Sequence, residues 1–228
     1  EDMIEIPVLT DNDANAMALA EARYGAGGGV GTLLCLTVGV GIGAGLILEG
    51  RVHRGNRSGA GEIGHTVVAP GGPLCRCGRR GCLEAVASDG ALETATGLSR
   101  EELVRRAQRG DRHATRVLAE AGATIGVALA NAVNLVGPER VIIGGEALFQ
   151  AGELLLGPIR EAVRQNAFPV LADLDVVAAS LGGDAWVRGA AALVEPRGQG
   201  RPDPAPRPAA AGRARLPRFC RRHRRAAR

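Results

Sequence analysis

A glycine-rich loop over residues 61–85, GEIGHTVVAPGGPLCRCGRRGCLEA, constrains this chain more than any other stretch. Cys75, Cys77 and Cys82 form a C-x-C-x4-C set, and His65 lies ten residues before the first cysteine. Three thiolates and one imidazole are ligands that tetrahedral zinc prefers. Cysteines separated by a single residue are poorly placed for a disulfide. The spacing therefore predicts a metal site held by these four side chains.

Two glycines in the loop favour the same interpretation. Gly78 and Gly81 allow the backbone to curl so that the three sulfur atoms face one point. Four protein ligands leave a zinc ion no open position, so we expect structural and not catalytic Zn²⁺. The alternative is three unrelated thiols, which the agreement of spacing and glycines disfavours. Of the other cysteines, Cys35 is expected in the core, and Cys220 lies near the end of the chain.

Two glutamates flank the predicted metal ligands. Glu62 lies in GEIGH and Glu84 in GCLEA. A metal that pins the loop would bring both carboxylates near one cavity, where they could accept hydrogen bonds from the hydroxyls of a sugar. The alternative is that each glutamate is an ordinary surface or capping residue.

The segment DNDANA supplies a third candidate group. Asp13 at a helix start could position a hydroxyl and take its proton during phosphoryl transfer, with Asn12 hydrogen-bonding beside it. The alternative is a plain helix cap, since Asp and Asn are the usual capping residues.

Glycine turns follow two apolar runs. VGVGIGAG places Gly39, Gly41 and Gly43 at the end of a strand, and VIIGGEAL places Gly144 and Gly145 in a similar turn. Such turns expose backbone N–H groups that can cradle a phosphate. A glycine-lined hairpin without a ligand is the alternative.

The hydrophobic pattern predicts alternating strands and helices, and therefore an α/β fold. A hairpin is expected to turn at Glu49–Gly50. Strands are predicted within 6–10, 33–40, 44–55, 139–145 and 174–180, and helices within 11–24, 83–88, 99–110, 112–136, 152–168 and 184–194.

Charge and composition divide the chain into two regions. Residues 196–228 hold eleven Arg and one acid, or +10, whereas residues 1–195 hold 17 Arg and 23 acids, or −6, which sums to the net +4. We expect a folded domain over 1–195 and a disordered or frame-shifted segment over 196–228. A basic tail that touches nucleic acid is the alternative. Aromatic residues make up 2% of the chain, which argues against a base-stacking surface.

No signal peptide or membrane-spanning run is evident, so we expect a cytoplasmic protein with reduced thiols and no membrane partner. No methionine opens the chain, and an apolar, strand-like run is reached by residue 7, so we expect the chain to lack its true N-terminus.

The order NDANA, VGVGIGAG, GEIGH, CRCGRRGCLEA and IIGG resembles the ROK family of repressors, open reading frames and sugar kinases, over about residues 7–194. The resemblance implies the actin-like, ribonuclease H-like sugar kinase fold, here mainly its C-terminal lobe. It implies structural zinc on His65, Cys75, Cys77 and Cys82. It also implies a sugar held by Asn12, Asp13, Glu62, His65 and Glu84.

In the family's kinases the residue that matches Asp13 activates the sugar hydroxyl, and the two glycine turns contact ATP with its Mg²⁺. Three departures lie on the nucleotide side. The phosphate-binding Asp-x-Gly-x-Thr segment is absent, Val40 stands where kinases carry Thr, and Glu146 stands where they carry a small residue. The last two features, and the final helix, resemble the sugar-responsive regulators.

Two hypotheses follow from the resemblance. The favoured one is the sugar-binding domain of a ROK transcriptional regulator whose winged helix-turn-helix precedes this chain and binds DNA. The alternative is an ATP-dependent kinase for glucose or an N-acetylated hexosamine. A truncated product without function is a third possibility. The family usually forms homodimers or homotetramers.

Overall fold

The structure is a computed structural model, and it describes residues 9–194. Two compact units divide the chain at Val194, and all described residues belong to the first unit. Most of the predicted strand over 6–10 and all of the predicted disordered segment over 196–228 lie outside the described residues.

A five-stranded mixed sheet forms the centre of the domain, in the order β3-β2-β1-β4-β5. Strand β1 pairs antiparallel with β2 and parallel with β4, and β4 pairs parallel with β5. The central β1 is a continuous apolar run because helices cover both of its faces. The strands are β1 Leu33–Val38, β2 Ile42–Leu48, β3 Arg51–Val52, β4 Arg140–Gly144 and β5 Asp175–Ala178.

Eight α-helices surround this sheet within the described residues. Most end where the sequence places a capping residue or a glycine. They are α1 Asp13–Tyr24, α2 Leu83–Ala87, α3 Asp89–Thr96, α4 Arg100–Gln108, α5 Arg112–Val136, α6 Glu146–Ala151, α7 Glu153–Asn166 and α8 Ala185–Val194.

The sheet separates two hydrophobic clusters. On one face, Leu34 and Leu36 pack with residues of α5 and α7 such as Leu129. On the other face, Leu33 and Cys35 pack with residues of α1 such as Met17. Cys35 is fully buried, as predicted, and burial raises the pKa of its thiol. The result is a three-layer α/β/α arrangement.

Helix α5 is the longest element, and only one of its faces packs against the domain. Asp111 caps its start and Gly137, in the left-handed conformation, ends it. By length and composition it is the one described helix that could cross a membrane, but half of its most apolar window is buried against the domain. Its other face is open, and Leu135 is 88% exposed. The helix therefore forms one side of the core and is not buried all round.

Several predicted elements are shorter in the structure, and two helices were not predicted. The strand predicted over 33–40 ends at Val38, because the next three residues form the turn into β2. The unpredicted helices are α3, which Ser88 separates from α2, and the short α6. Helix α6 follows β4 directly and is separated from α7 by Gly152, whose φ of 54° only glycine adopts without strain.

Candidate functional site

A cavity of about 360 Å³ opens at the carboxyl end of β1, beside the start of α1 and the cysteine loop. The carboxyl ends of strands are the usual position of ligand sites in α/β folds. All five residues predicted to hold a sugar line this one cavity, although they come from three separate segments: Asn12, Asp13, Glu62, His65 and Glu84.

The start of α1 carries the first pair of these residues. The Asn12 side-chain oxygen accepts a 2.8 Å hydrogen bond from the Ala14 N–H, so Asn12 is a genuine helix cap. Because that oxygen is engaged, a ligand would meet the amide nitrogen of Asn12. The Asp13 carboxylate lies at the first helical position and lines the cavity. Capping and ligand contact are therefore compatible at this helix start.

An ion pair behind the cavity holds the start of α1 in place. Arg54 donates to Asp11 at 3.0 Å through Nε, and the Asn15 side chain donates to Asp11 at 2.8 Å. Burial raises the pKa of the Asp11 carboxyl, but the hydrogen bonds from Asn15 and Arg54 outweigh it and leave that pKa below its usual value. Asp11 is thus a charged anchor two residues before Asp13.

Glu84 lies at the start of α2 with its side chain 8% exposed. Its carboxylate accepts a 3.1 Å hydrogen bond from the Ile42 N–H at the beginning of β2. Arg76, in the cysteine loop, contacts the same carboxylate at 2.8 Å through Nε. A Cβ atom on Gly41 would lie 3.0 Å from the carboxylate, so glycine keeps this approach open. Three segments therefore fix the orientation of Glu84.

Glu62 and His65 bracket a 3-10 turn over Ile63–His65. Gly61 precedes it with φ of 85°, and a Cβ there would lie 1.9 Å from the Ala44 carbonyl oxygen. Only glycine allows this approach of the turn to β2. His65 Nε2 lies 3.8 Å from a Glu62 carboxylate oxygen, so this ring nitrogen points towards the cavity side of the turn.

The other nitrogen of His65 faces the cysteine cluster. The ligand atoms of His65, Cys75, Cys77 and Cys82 all lie within 4.8 Å of one another. The Cys77 and Cys82 sulfur atoms are 3.6 Å apart, and Cys75 Sγ is 3.5 Å from His65 Nδ1. Thiolates about 2.3 Å from a tetrahedral zinc lie roughly 3.8 Å apart. The donor set and its spacing fit Zn²⁺.

The electrostatics of the cluster agree with a cation. A backbone hydrogen bond and a side-chain contact from Arg79 lower the pKa of Cys77 to about 6, which favours the thiolate form that binds metals. Burial raises the pKa of Cys82 to about 11, a cost that a bound cation reverses. Gly81 holds the chain in the required curl with φ of 73°, since a Cβ there would lie 1.7 Å from the Ala69 oxygen.

The two predicted glycine turns contribute different numbers of residues to the cavity lining. Gly39, Gly41, Gly43 and Gly145 line it, and a Cβ on Gly145 would lie 2.3 Å from the Val38 carbonyl oxygen. Gly144 does not line the cavity. It ends β4 against Met17, where a Cβ atom would lie 2.7 Å from the sulfur. Of the two glycines in this turn, only the second is brought to the site.

Comparison with known proteins identifies the family of this chain. A model of the ROK family matches residues 1–197. The chain belongs to the ROK family. Its neighbours among solved ROK proteins imply the actin-like, ribonuclease H-like α/β fold, to which the mixed sheet between two helical layers corresponds.

Curated relatives of this ROK chain fall into two groups. A glucokinase of Halalkalibacterium halodurans is 37% identical over 86% of this chain and 66% of its own length. A xylose repressor of Caldicellulosiruptor bescii is 35% identical over 72% of this chain and 45% of its own length. The chain thus spans between about half and two thirds of these relatives.

Solved structures divide in the same way. A ROK hexokinase from Thermus thermophilus shares 41% identity over 82% of this chain and 64% of its own, with a TM-score of 0.77. A Streptomyces griseus ROK glucokinase in complex with glucose and AMPPNP shares 35% identity over 85% of this chain and 70% of its own, with the same TM-score. A ROK transcriptional regulator homologous to the Escherichia coli MLC protein shares 34% identity over 83% of this chain and 52% of its own length, with a TM-score of 0.75. Kinases reach the higher identities, but membership of the family includes both functions.

Arg76 and Trp186 are among the lining residues of this ROK cavity that were not predicted from the sequence. Arg76 lies between two predicted metal ligands and resembled an ordinary exposed charge of the loop. Trp186, from α8, lies far from every motif in sequence. The one indication of a special role in the sequence was that Trp186 is the only tryptophan of the chain.

Proposed function

We propose that this ROK domain binds an uncharged sugar in the cavity and that the protein is a sugar-responsive transcriptional regulator. Sugar binding is supported by the convergence of Asn12, Asp13, Glu62, His65 and Glu84 on one cavity. Carboxylates, an amide and an imidazole are groups that can hydrogen-bond several hydroxyls at once.

The charge of the cavity favours an uncharged sugar. Four carboxylates line it, those of Asp13, Glu62, Glu84 and Glu146, against one arginine, Arg76. Arg76 is already paired with Glu84. A phosphorylated sugar or a sugar acid would meet net repulsion here. The proposed ligand class is therefore neutral hexoses, N-acetylated hexosamines and pentoses.

The wall of the cavity beside the glycine turns favours a regulator over a kinase. Glu146, whose side chain is 70% exposed, follows Gly145 directly and lines the cavity on the side of the glycine turns. Val40 at the tip of the other turn is 84% exposed. Phosphoryl transfer needs cations around the phosphates, and Arg76 is the one arginine or lysine among the described lining residues. This wall of the cavity suits the binding of a neutral sugar better than the binding of a nucleotide polyphosphate.

The remaining parts of the proposal concern assembly. Zinc on the four-ligand cluster would be structural and would shape the sugar site. DNA contact would come from a winged helix-turn-helix outside these 228 residues, and the protein would act in the cytoplasm as a homodimer or homotetramer. The sugar-binding domain would end near residue 195, with 196–228 taking no part in sugar binding.

A sugar kinase is the second candidate. It is supported by the Asp13 carboxylate at the cavity and by the 37% identity to a glucokinase. In that case Asp13 would take the proton of the sugar hydroxyl, and ATP with Mg²⁺ would lie against Gly39, Gly41, Gly43 and Gly145, the predicted turn glycines that line the cavity.

Calorimetry on the 228-residue chain, together with ADP release and operator binding by the full-length gene product, separates the two. We expect glucose, xylose or N-acetylglucosamine to bind with no ADP formed from ATP. Operator retention by the full-length gene product should then change with the bound sugar. Sugar-dependent ADP release that Asp13→Asn abolishes, and that the surface variant Glu120→Gln keeps, would establish the kinase instead. No binding of any of these sugars would refute both.

A further inference from the structure

Trp186 is the one aromatic side chain among the described residues that line the cavity. The other lining residues are glycines, small aliphatic residues and the polar groups already described. Trp186 is also the only tryptophan in the chain. Trp186 is half-buried and packs against the hydrophobic cluster of α1 and the sheet, and the rest of its ring is exposed to a cavity of otherwise small and polar groups.

Helix packing fixes the position of this ring. Helix α8 runs alongside α1 in the same direction, because Gly189 contacts Ala16 and the Arg23 side chain donates to the Ala192 carbonyl oxygen at 3.0 Å. A Cβ on Gly189 would lie 1.9 Å from the Ala16 oxygen, so the two helices touch at their backbones. Trp186 lies one turn before Gly189 and therefore lies beside the start of α1.

The residue before Trp186 anchors the helix start. Ala185 is completely buried and belongs to the cluster between α1 and the sheet. The next residue, Val187, is 74% exposed and does not line the cavity. Trp186 is thus held by its neighbours at the edge of the cavity, on the side where Asp13 lies.

A sugar ring has two kinds of surface, a rim of hydroxyls and an apolar face of C–H groups. The five polar side chains can satisfy the rim. An apolar, rigid surface is needed for the face, and ligand sites commonly provide it with an aromatic side chain. Among the described lining residues, Trp186 is the one that offers a flat apolar area of that size.

We propose that Trp186 is a sugar-contacting residue whose indole packs against the apolar face of the bound ring. This inference rests on the proposed sugar-binding function and names a further residue that determines affinity in it. Because the chain has no other tryptophan, the same residue also reports binding through its own fluorescence.

The test uses the whole 228-residue chain and two independent readouts. Glucose, xylose and N-acetylglucosamine are titrated into the wild type, Trp186→Ala, Trp186→Phe and the matched control Val187→Ala, with affinity measured by calorimetry. Tryptophan fluorescence is followed in the wild type and Val187→Ala. Circular dichroism and thermal melting establish that each variant is folded.

We expect a sugar-dependent change of fluorescence, and a loss of affinity of about tenfold or more in Trp186→Ala. Trp186→Phe should keep most of the affinity because it keeps an apolar ring, and Val187→Ala should match the wild type. Unchanged affinity in a folded Trp186→Ala would overturn this inference and leave the proposed function standing. A wild type that binds none of the three sugars would overturn both.

Discussion

The Nδ1 atom of His65 lies 3.5 Å from the Sγ atom of Cys75. The opposite ring nitrogen, Nε2, lies 3.8 Å from Glu62. One imidazole thus belongs to the cysteine cluster and to the wall of the cavity at the same time. A metal on Nδ1 would hold the proton on Nε2, so the cluster would determine which hydrogen bond His65 offers to a ligand.

Loss of the metal should therefore weaken sugar binding strongly. We expect Cys77→Ser to lose zinc and to weaken sugar affinity by roughly 100-fold, since disturbing the groups that orient a metal ligand already costs about 10–100-fold. Metal analysis and calorimetry measure both effects, with Cys220→Ser, a thiol outside the described residues, as the control. Zinc-free Cys77→Ser that binds sugar normally would refute the link between metal and ligand.

The approach of Gly61 to β2 makes a second prediction. Gly61→Ala combines a strained positive φ with a Cβ 1.9 Å from the Ala44 oxygen, so we expect a loss of about 3 kcal/mol in the free energy of unfolding. Gly50→Ala is the matched control. Its φ is 73° and nothing lies within 4 Å of its Cβ, so it should cost only about 1 kcal/mol. Equal losses in urea unfolding would show that the contact with Ala44 is unimportant.

The lowered pKa of Asp11 predicts a pH-dependent stability. A carboxyl whose pKa is lower in the folded state stabilises the protein above its unfolded value, near 3.8, and loses this contribution as pH falls through the folded value. We expect Asp11→Asn to cost about 2 kcal/mol at pH 7, and the difference from wild type to shrink below pH 3.8. Urea unfolding across this range measures it.

A surface pair provides the comparison for Asp11→Asn. Asp175 pairs with Arg140 at 2.9 Å, but its side chain is 54% exposed. Asp175→Asn should cost about 0.5 kcal/mol or less, because exposed ion pairs contribute little. A pH-independent difference between Asp11→Asn and wild type would contradict the assigned role of the Asp11 charge.

The buried Arg100 carries a fourth prediction. Its guanidinium contacts Asp89 and donates to Glu101 at 3.0 Å and Gln150 at 3.2 Å. The side chain is 7% exposed, and Glu146 lies 3.7 Å away. Arg100→Ala leaves the half-buried Asp89 without its cation, so we expect a loss of about 3 kcal/mol. The double variant Asp89→Asn/Arg100→Gln should lose less.

The control for Arg100 is an arginine on the same helix. Arg105 pairs with Glu102 at the surface of α4 and is 56% exposed. Arg105→Ala should leave the free energy of unfolding nearly unchanged, because solvent screens this pair. If the double variant at 89 and 100 is as unstable as Arg100→Ala, the unpaired charge of Asp89 is not the cause.

Local features of this domain could be predicted from sequence. The hairpin turns at Glu49 and Gly50, as predicted, because both residues adopt positive φ, at 51° and 73°. Helix α5 has the predicted bounds, since Asp111 and Gly137 cap it by local chemistry. These features depend on residues that are neighbours in the chain, so a single sequence contains their causes.

Long-range features could not be predicted in the same way. The parallel pairing of β1 with β4 joins segments about a hundred residues apart, and nothing in LLCLTV specifies its neighbour. The pairing of Arg76 with Glu84 and the position of Trp186 arise only when the loop and α8 meet the sheet. That the five sugar-site candidates share one cavity could be expected only from the family resemblance, because no local pattern in the sequence relates their three segments.

The backbone contact between Gly189 of α8 and Ala16 of α1 ties together the first and the last helix of the described residues. Recombination between related genes at any point between these helices would join an α1 and an α8 that were never selected together. A hybrid with any larger residue at position 189 would force the helices apart and shift one wall of the cavity. We therefore expect this domain to pass between genes as one inherited block, whatever module is fused to it.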